Sequence, residues 1–279
     1  MSFSKPNYKD FSFAHHGAVY RILEKLFAEL NISYYLIGAN ARDVQLYKNG
    51  IKPSRGTADI DFAIMVPDFD VYNRIFDSLC NLGFRRAQEQ YRLIFDKTNT
   101  VIDLMPYGKI EQDYTVNFLE RDITLSVLGF KEVGEKAELF SPVEEIYSIP
   151  VSPVEGIIIL KLVSWNDKPE TRTKDLEDIG FLLKYAWDFY EMEAYEKHSD
   201  LFDDDFEKNK TAARILGRKM KPILAQNKKL EETIIAVLKN SSIAKIKVEN
   251  PEITLAINMD KTIEETIVIL ELILKGISD

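Results

Sequence analysis

The chain has 279 residues, 46% of them hydrophobic and 29% charged, with a formal net charge of −9. That length and apolar content suffice for one large domain or two ordinary ones, and the acid excess argues against a surface that coats nucleic acid generally. A single cysteine, Cys80, and three histidines, His15, His16 and His198, argue against disulfides, thiolate zinc and a histidine metal cluster. Any metal must therefore be held by oxygen ligands, which favours Mg²⁺, Mn²⁺ or Ca²⁺.

No run of 18 apolar residues occurs, and residues 1–8 lack the apolar stretch of a signal peptide, so a cytoplasmic protein without membrane contact is expected. Apolar residues at Val19, Ile22, Leu23, Leu26, Phe27 and Leu30 predict a helix over 15–30. Residues 33–37 read as a strand ending at Gly38, and 39–47 as a short helix. A loop over 49–55, with Gly50 and Pro53, leads into an apolar strand, and Val71, Ile75, Phe76 and Leu79 give a helix over 68–82. Strands at 92–96 and 100–105 flank the turn residues Lys97-Thr98-Asn99, and 114–119 and 123–128 add further strands. From Pro142 onward the pattern is mostly helical, with helices at 153–165 and 175–185 and one or two more in 206–239, broken or kinked near Pro222. A strand at 253–257 precedes a final helix over 263–274. The expectation is an α/β (α+β) chain: a mixed sheet flanked by helices over 1–150, followed by a mainly helical domain over 151–279 that completes an active-site cleft.

The chemistry begins in the strand Thr57-Ala58-Asp59-Ile60-Asp61-Phe62-Ala63-Ile64-Met65-Val66. Alternate residues of a strand share a face, so Asp59 and Asp61 lie together with Cα atoms about 6.7 Å apart. Two carboxylates that close, in an apolar strand, need a divalent cation, a shared proton or an exposed strand end. Two other acidic runs, Asp68-Phe69-Asp70 and Asp203-Asp204-Asp205, sit outside any apolar strand and serve as internal controls. Upstream, Leu36-Ile37-Gly38-Ala39-Asn40-Ala41-Arg42-Asp43 takes a strand into a helix through glycine and small residues, a junction that lets backbone N–H groups approach phosphate. Downstream, Val101-Ile102-Asp103-Leu104-Met105 carries one more acid, and a neighbouring position in the sheet would make Asp103 the third carboxylate around Mg²⁺ shared with a triphosphate.

Taken together, these segments resemble the nucleotidyltransferase superfamily of DNA polymerase β, and more narrowly the AbiEii/AbiGii-type toxin nucleotidyltransferases. The resemblance covers residues 15–190. It includes Arg-Gly-Thr-Ala-Asp-Ile-Asp-Phe-Ala-Ile at 55–64, Ile-Asp-Leu-Met-Pro-Tyr-Gly at 102–108, Leu-Lys-Leu-Val-Ser-Trp at 160–165 and Arg-Thr-Lys-Asp-Leu-Glu-Asp-Ile at 172–179. It implies a nucleotidyltransferase fold, an NTP substrate, Mg²⁺ or Mn²⁺ on Asp59, Asp61 and Asp103, and phosphates at the turn Gly38-Ala39-Asn40. The family pattern has serine or glycine after the first glycine, whereas this chain has Ala39. Arg42 and Asp43 are similar to part of the turn of tRNA nucleotidyltransferases, and equally suit a salt-bridged helix surface. Lys161 matches a nucleotide-binding lysine of the family and Asp175 an acid important for activity. By residue chemistry alone, Lys161 in its apolar helix snorkels to solvent, pairs with Asp175 or Asp178, or touches a triphosphate. Asp175 and Asp178 are i, i+3 on one helix, and Arg172 and Lys174 at its start are candidate phosphate contacts.

Between 208 and 229 stand Lys208, Lys210, Arg214, Arg218, Lys219, Lys221, Lys228 and Lys229 without an acid, and the preceding 191–207 is strongly acidic. These are either two surfaces that neutralise each other or an RNA-binding patch. The function expected is metal-dependent transfer of a nucleoside monophosphate from an NTP to an RNA, tRNA or protein acceptor, as the toxin of a toxin–antitoxin pair with a cognate antitoxin. The alternatives are a small-molecule, antibiotic-type adenylyltransferase and a catalytically silent nucleotide-binding protein.

Overall fold

A computed structural model describes residues 6–118, 123–202, 206–240 and 251–279. The chain divides into two compact units, Met1–Pro153 and Val154–Asp279. In the first, two short 3₁₀ turns precede α1 (Gly17–Glu29), whose Val19, Tyr20, Leu23, Leu26 and Phe27 are buried on one face. Then follow β1 (Tyr34–Ile37), α2 (Gly38–Lys48), β2 (Asp59–Met65), α3 (Phe69–Asn81), β3 (Phe84–Arg86), β4 (Arg92–Phe95) and β5 (Thr100–Tyr107). The unit ends with β6 (Thr115–Phe118), β7 (Ile123–Ser126), α4 (Phe130–Gly134), β8 (Glu138–Phe140) and β9 (Ile149–Val151). Leu119 of the strand expected at 114–119 lies outside the described residues, as does the control run Asp203-Asp204-Asp205.

Among the described residues, seven strands form a mixed sheet in the order β3-β4-β5-β2-β1-β9-β8, and β6 and β7 form a separate antiparallel pair. The acid-bearing strand β2 is central, parallel to β5 on one flank and antiparallel to β1 on the other. Its Ile60, Phe62 and Ile64 are wholly buried, so the apolar half of the strand anchors the acidic half. The control Asp68-Phe69-Asp70 has a plain structural account: Asp68 caps α3, its carboxylate accepting the Val71 N–H at 2.9 Å.

The second unit is helical: α5 (Val154–Asp167), α6 (Thr173–Lys184), α7 (Ala186–Lys197), α8 (Lys208–Leu224), α9 (Lys228–Asn240), α10 (Pro251–Met259) and α11 (Ile263–Ser278). One expectation changes here. Residues 253–257 are helical, not a strand. The run Ile-Thr-Leu-Ala-Ile is too short for periodicity to decide, and Pro251 at the helix start with Leu255 and Met259 buried one turn apart selects the helix. The break expected near Pro222 is present: Pro222 lies in the last turn of α8, and the chain breaks to α9 after Leu224. The α8 and α11 backbones pass closely at Gly217 and Gly276, where a Cβ on either would strike the other helix's main chain. Among the described residues no helix is long and apolar enough to cross a membrane.

Candidate active site

The register of the sheet assembles the acids. Asp61 on β2 lies directly opposite Asp103 on β5, and Arg92 on β4 lies opposite Asp103 from the other side. Directly paired residues share a sheet face, so Asp61, Asp103 and Arg92 run across three strands, with Asp59 two positions along the same face. Arg92 grips Asp103 in a bidentate pair, Nε to Oδ1 at 2.7 Å and Nη2 to Oδ2 at 2.8 Å. The same Nη2 stands 3.6 Å from Asp59 Oδ2. The Asp59 side chain is 43% exposed and that of Asp103 only 6%. Burial pushes the Asp103 carboxyl above the usual range, Arg92 opposes this only in part, and Asp59 and Glu89 add to the rise.

The glycine turn abuts these acids. Gly38 opens α2 with φ of +67°, the left-handed region that L side chains avoid, and a Cβ there would collide with the Asp61 carboxylate. Glycine is therefore required both by the turn and by the approach to Asp61. The first N–H groups of α2 have no acceptor within the helix and mark its positive end. Ala39 is half-buried beside them. Asn40 is wholly buried and turns inward: its Nδ2 donates to the Asp59 backbone carbonyl at 2.7 Å, bracing the acid strand, while its Oδ1 has no hydrogen-bond partner among the described residues. Arg42 is also wholly buried, with Nη2 donating to Asp43 Oδ1 at 2.7 Å and to the Arg55 carbonyl at 3.0 Å. The pair Arg42–Asp43 is thus salt-bridged in the interior rather than on the helix surface.

In the second unit, Lys161 on α5 meets two acids of α6, Asp175 Oδ1 at 2.7 Å and Asp178 Oδ2 at 2.9 Å. All three side chains are at most 13% exposed. Burial by itself lowers the Lys161 pKa, but Asp175 and Asp178 outweigh it and hold the ammonium above its ordinary value. Of the three readings open for Lys161, this is the geometry of the ion pair. Arg172 and Lys174 are exposed at the start of α6. The basic segment is matched by its acidic neighbours: Arg218 pairs with Asp200 and Asp279, Arg214 with Asp279, Lys219 with Glu193, Lys210 with Glu207 and Lys208 with Glu191. Five of the eight basic residues are thus paired with these acids, while Lys221, Lys228 and Lys229 are exposed.

A carboxylate-only donor set suits Mg²⁺ or Mn²⁺, and Asp59 and Asp61 on one face fit such an ion. Among the described residues no group of three or more His, Cys, Asp or Glu is already arranged to hold a metal. Both Asp103 oxygens are engaged by the Arg92 guanidinium. Sequence reasoning missed Arg92, although a signal existed. A tight hairpin centred on Lys97-Thr98 pairs Phe95 with Thr100 and hence Arg92 with Asp103.

The family described as nucleotidyl transferase AbiEii toxin, type IV toxin–antitoxin system, matches residues 22–258. The chain belongs to this family. It is therefore an AbiEii-type nucleotidyltransferase with the mixed α/β fold of such enzymes. Among solved structures it is similar to an antigenic nucleotidyltransferase-like protein from Paracoccidioides brasiliensis, at 15% identity over 80% of this chain and 93% of that one, with a TM-score of 0.41. It is also similar to the antibiotic-resistance factor ANT(2'')-Ia, at 14% identity over 80% of this chain and 97% of that one, with a TM-score of 0.35. A third is the Thermotoga maritima CCA-adding enzyme complexed with tRNA, at 12% identity over 99% of this chain and 84% of that one, with a TM-score of 0.29. No curated protein matches the chain in sequence.

Proposed function

We propose that this AbiEii-family protein transfers a nucleoside monophosphate from an NTP to a cellular acceptor, an RNA such as tRNA or a protein, and that a cognate antitoxin restrains this toxic act. The observation that carries the reading is the meeting of Asp61 with Asp103 across the sheet, Asp59 on the same face, and the Gly38 turn against Asp61. Asp59 and Asp61 hold Mg²⁺ or Mn²⁺, which when bound neutralises phosphate charge and favours the hydroxyl's ionised form. The Gly38-Ala39 end of α2 offers backbone N–H groups to the triphosphate at the helix's positive pole. The acceptor oxygen bonds to the α-phosphorus as the bond to pyrophosphate breaks, with entering and leaving oxygens in line. Once Arg92 no longer holds both its oxygens, Asp103 would bind the first metal ion or accept the hydroxyl proton, and burial makes it a stronger base than an exposed carboxylate.

For the second unit the reading is narrower. Asp175 and Asp178 neutralise Lys161, so Lys161 supports activity by joining α5 to α6, while the exposed Arg172 and Lys174 are its candidate phosphate contacts. The test is incubation of the purified protein with Mg²⁺, α-labelled NTPs and, in separate arms, total tRNA and total protein. A labelled product is expected and is lost in Asp59→Ala and Asp61→Asn. Induction in cells should arrest growth, and the same substitutions should relieve the arrest. Absence of label in every arm overturns the activity, and tight NTP binding by calorimetry without label would identify a silent nucleotide binder instead.

A further inference from the structure

The anomaly in the site is a cation supplied by the protein itself. Arg92 sits between Asp103, which it holds through two hydrogen bonds of 2.7 and 2.8 Å, and Asp59 at 3.6 Å. That is where an ion shared by these two carboxylates would have to lie. A bidentate arginine–carboxylate pair is among the stronger polar contacts in proteins, and this one is shielded, with Arg92 28% and Asp103 6% exposed. Asp103 is also too buried to go without a counter-charge when no metal is present.

We infer that Arg92 is the resident cation of the carboxylate site, and that a divalent ion gains Asp103 as a ligand only when the Arg92 guanidinium withdraws. The inference rests on the proposed function only for the expectation that Asp59 and Asp61 bind the ion. Its consequence is a site that holds metal weakly through Asp59 and Asp61 until something displaces Arg92. Room for the displaced side chain exists: Arg92 also lines a cleft of about 460 Å³ together with Arg86, Asn73 and Asn117. Of the cleft's two guanidinium groups Arg86 is held by Asp77, and Glu89 is the one acid in the lining, so an anionic group entering it would compete with Asp103 for Arg92. Arginine suits the role better than lysine because its planar fork satisfies both Asp103 oxygens at once.

The test uses the full chain freed of metal, with no nucleotide, titrated with Mn²⁺ while paramagnetic resonance follows the free ion. Wild type should bind weakly. Arg92→Gln should bind about tenfold to a hundredfold more tightly, the span expected when one competing charged pair is removed. Arg92→Lys, which keeps the charge, should stay nearer wild type. Asp61→Asn added to Arg92→Gln should abolish the gain. Thermal melts by circular dichroism keep the inference testable if Arg92→Gln folds poorly, since Mn²⁺ should then raise its melting temperature by more than that of wild type. Equal Mn²⁺ affinity in wild type and Arg92→Gln, or a gain that survives Asp61→Asn, overturns the inference. Either result is independent of nucleotidyl transfer, because no NTP or acceptor is present.

Discussion

Replacing Lys161 by methionine tests whether its charge is a structural requirement of the second unit. The substitution keeps the side chain's length and apolar stem, but leaves Asp178, with a side chain 2% exposed, and Asp175, 13% exposed, facing each other without the ammonium between them. Removing one partner from a buried ion pair costs about 3–5 kcal/mol, a large part of the roughly 5–15 kcal/mol that keeps a domain folded. With a urea slope of about 2 kcal/mol per molar, the unfolding midpoint should fall by about 2 M. The assay is specific, because both tryptophans, Trp165 and Trp187, are buried in this unit and their fluorescence reports it alone. Adding Asp175→Asn and Asp178→Asn should recover most of the loss by removing the stranded charges. The pH dependence has a definite sign. A lysine whose folded pKa is raised contributes fully below its ordinary value of 10.5, and the contribution is lost as pH climbs through the higher folded value. A loss below about 1 kcal/mol in Lys161→Met, or a triple variant no more stable than the single one, refutes the structural reading.

Gly38→Ala places a side chain at φ of +67° against the Asp61 carboxylate, so it should cost about 1–2 kcal/mol and weaken Mn²⁺ binding, as read by denaturation and ion titration; unchanged binding would show that the turn does not press on Asp61. His16 is 9% exposed, neither ring nitrogen has a hydrogen-bond partner among the described residues, and burial lowers its pKa to about 4. Because the unfolded chain binds that proton more readily, wild type should lose up to about 3 kcal/mol as pH falls from 6.5 towards 4, a loss that His16→Phe lacks in urea titrations. Gly217→Ala drives a methyl into the α11 main chain at Ile273 and Gly276, and should lower the second unit's midpoint by the equivalent of about 1–3 kcal/mol in tryptophan fluorescence.

The candidate site was partly legible in the sequence. The spacing of Asp59 and Asp61 fixes their common face because a strand's side chains alternate, and glycine at 38 follows from the same local geometry. The family resemblance drew Asn40 into the phosphate reading, and likeness to the turn of tRNA nucleotidyltransferases drew in Arg42. In the structure both side chains are buried, one bracing the Asp59 backbone and the other paired with Asp43. Nothing local distinguishes the inward from the outward side of a helix's first turns when the helix carries polar residues all round.

By itself, then, the sequence determined what depends on neighbours along the chain: the amphipathic helices α1 and α3, the acidic pair on an apolar strand, the tight turn before α2 and the hairpin chemistry between β4 and β5. Tertiary structure decided what depends on partners far away. Parallel pairing of β2 with β5, residues some forty positions apart, sets Asp61 opposite Asp103. The next strand then brings Arg92 onto the same carboxylate. Packing also made 253–257 a helix and matched basic residues of α8 to acids brought from α7, the turn at Asp200 and the end of α11. The physical reason is common to all of these: a charge's meaning depends on which opposite charge and how much water surround it, and only the folded chain fixes both.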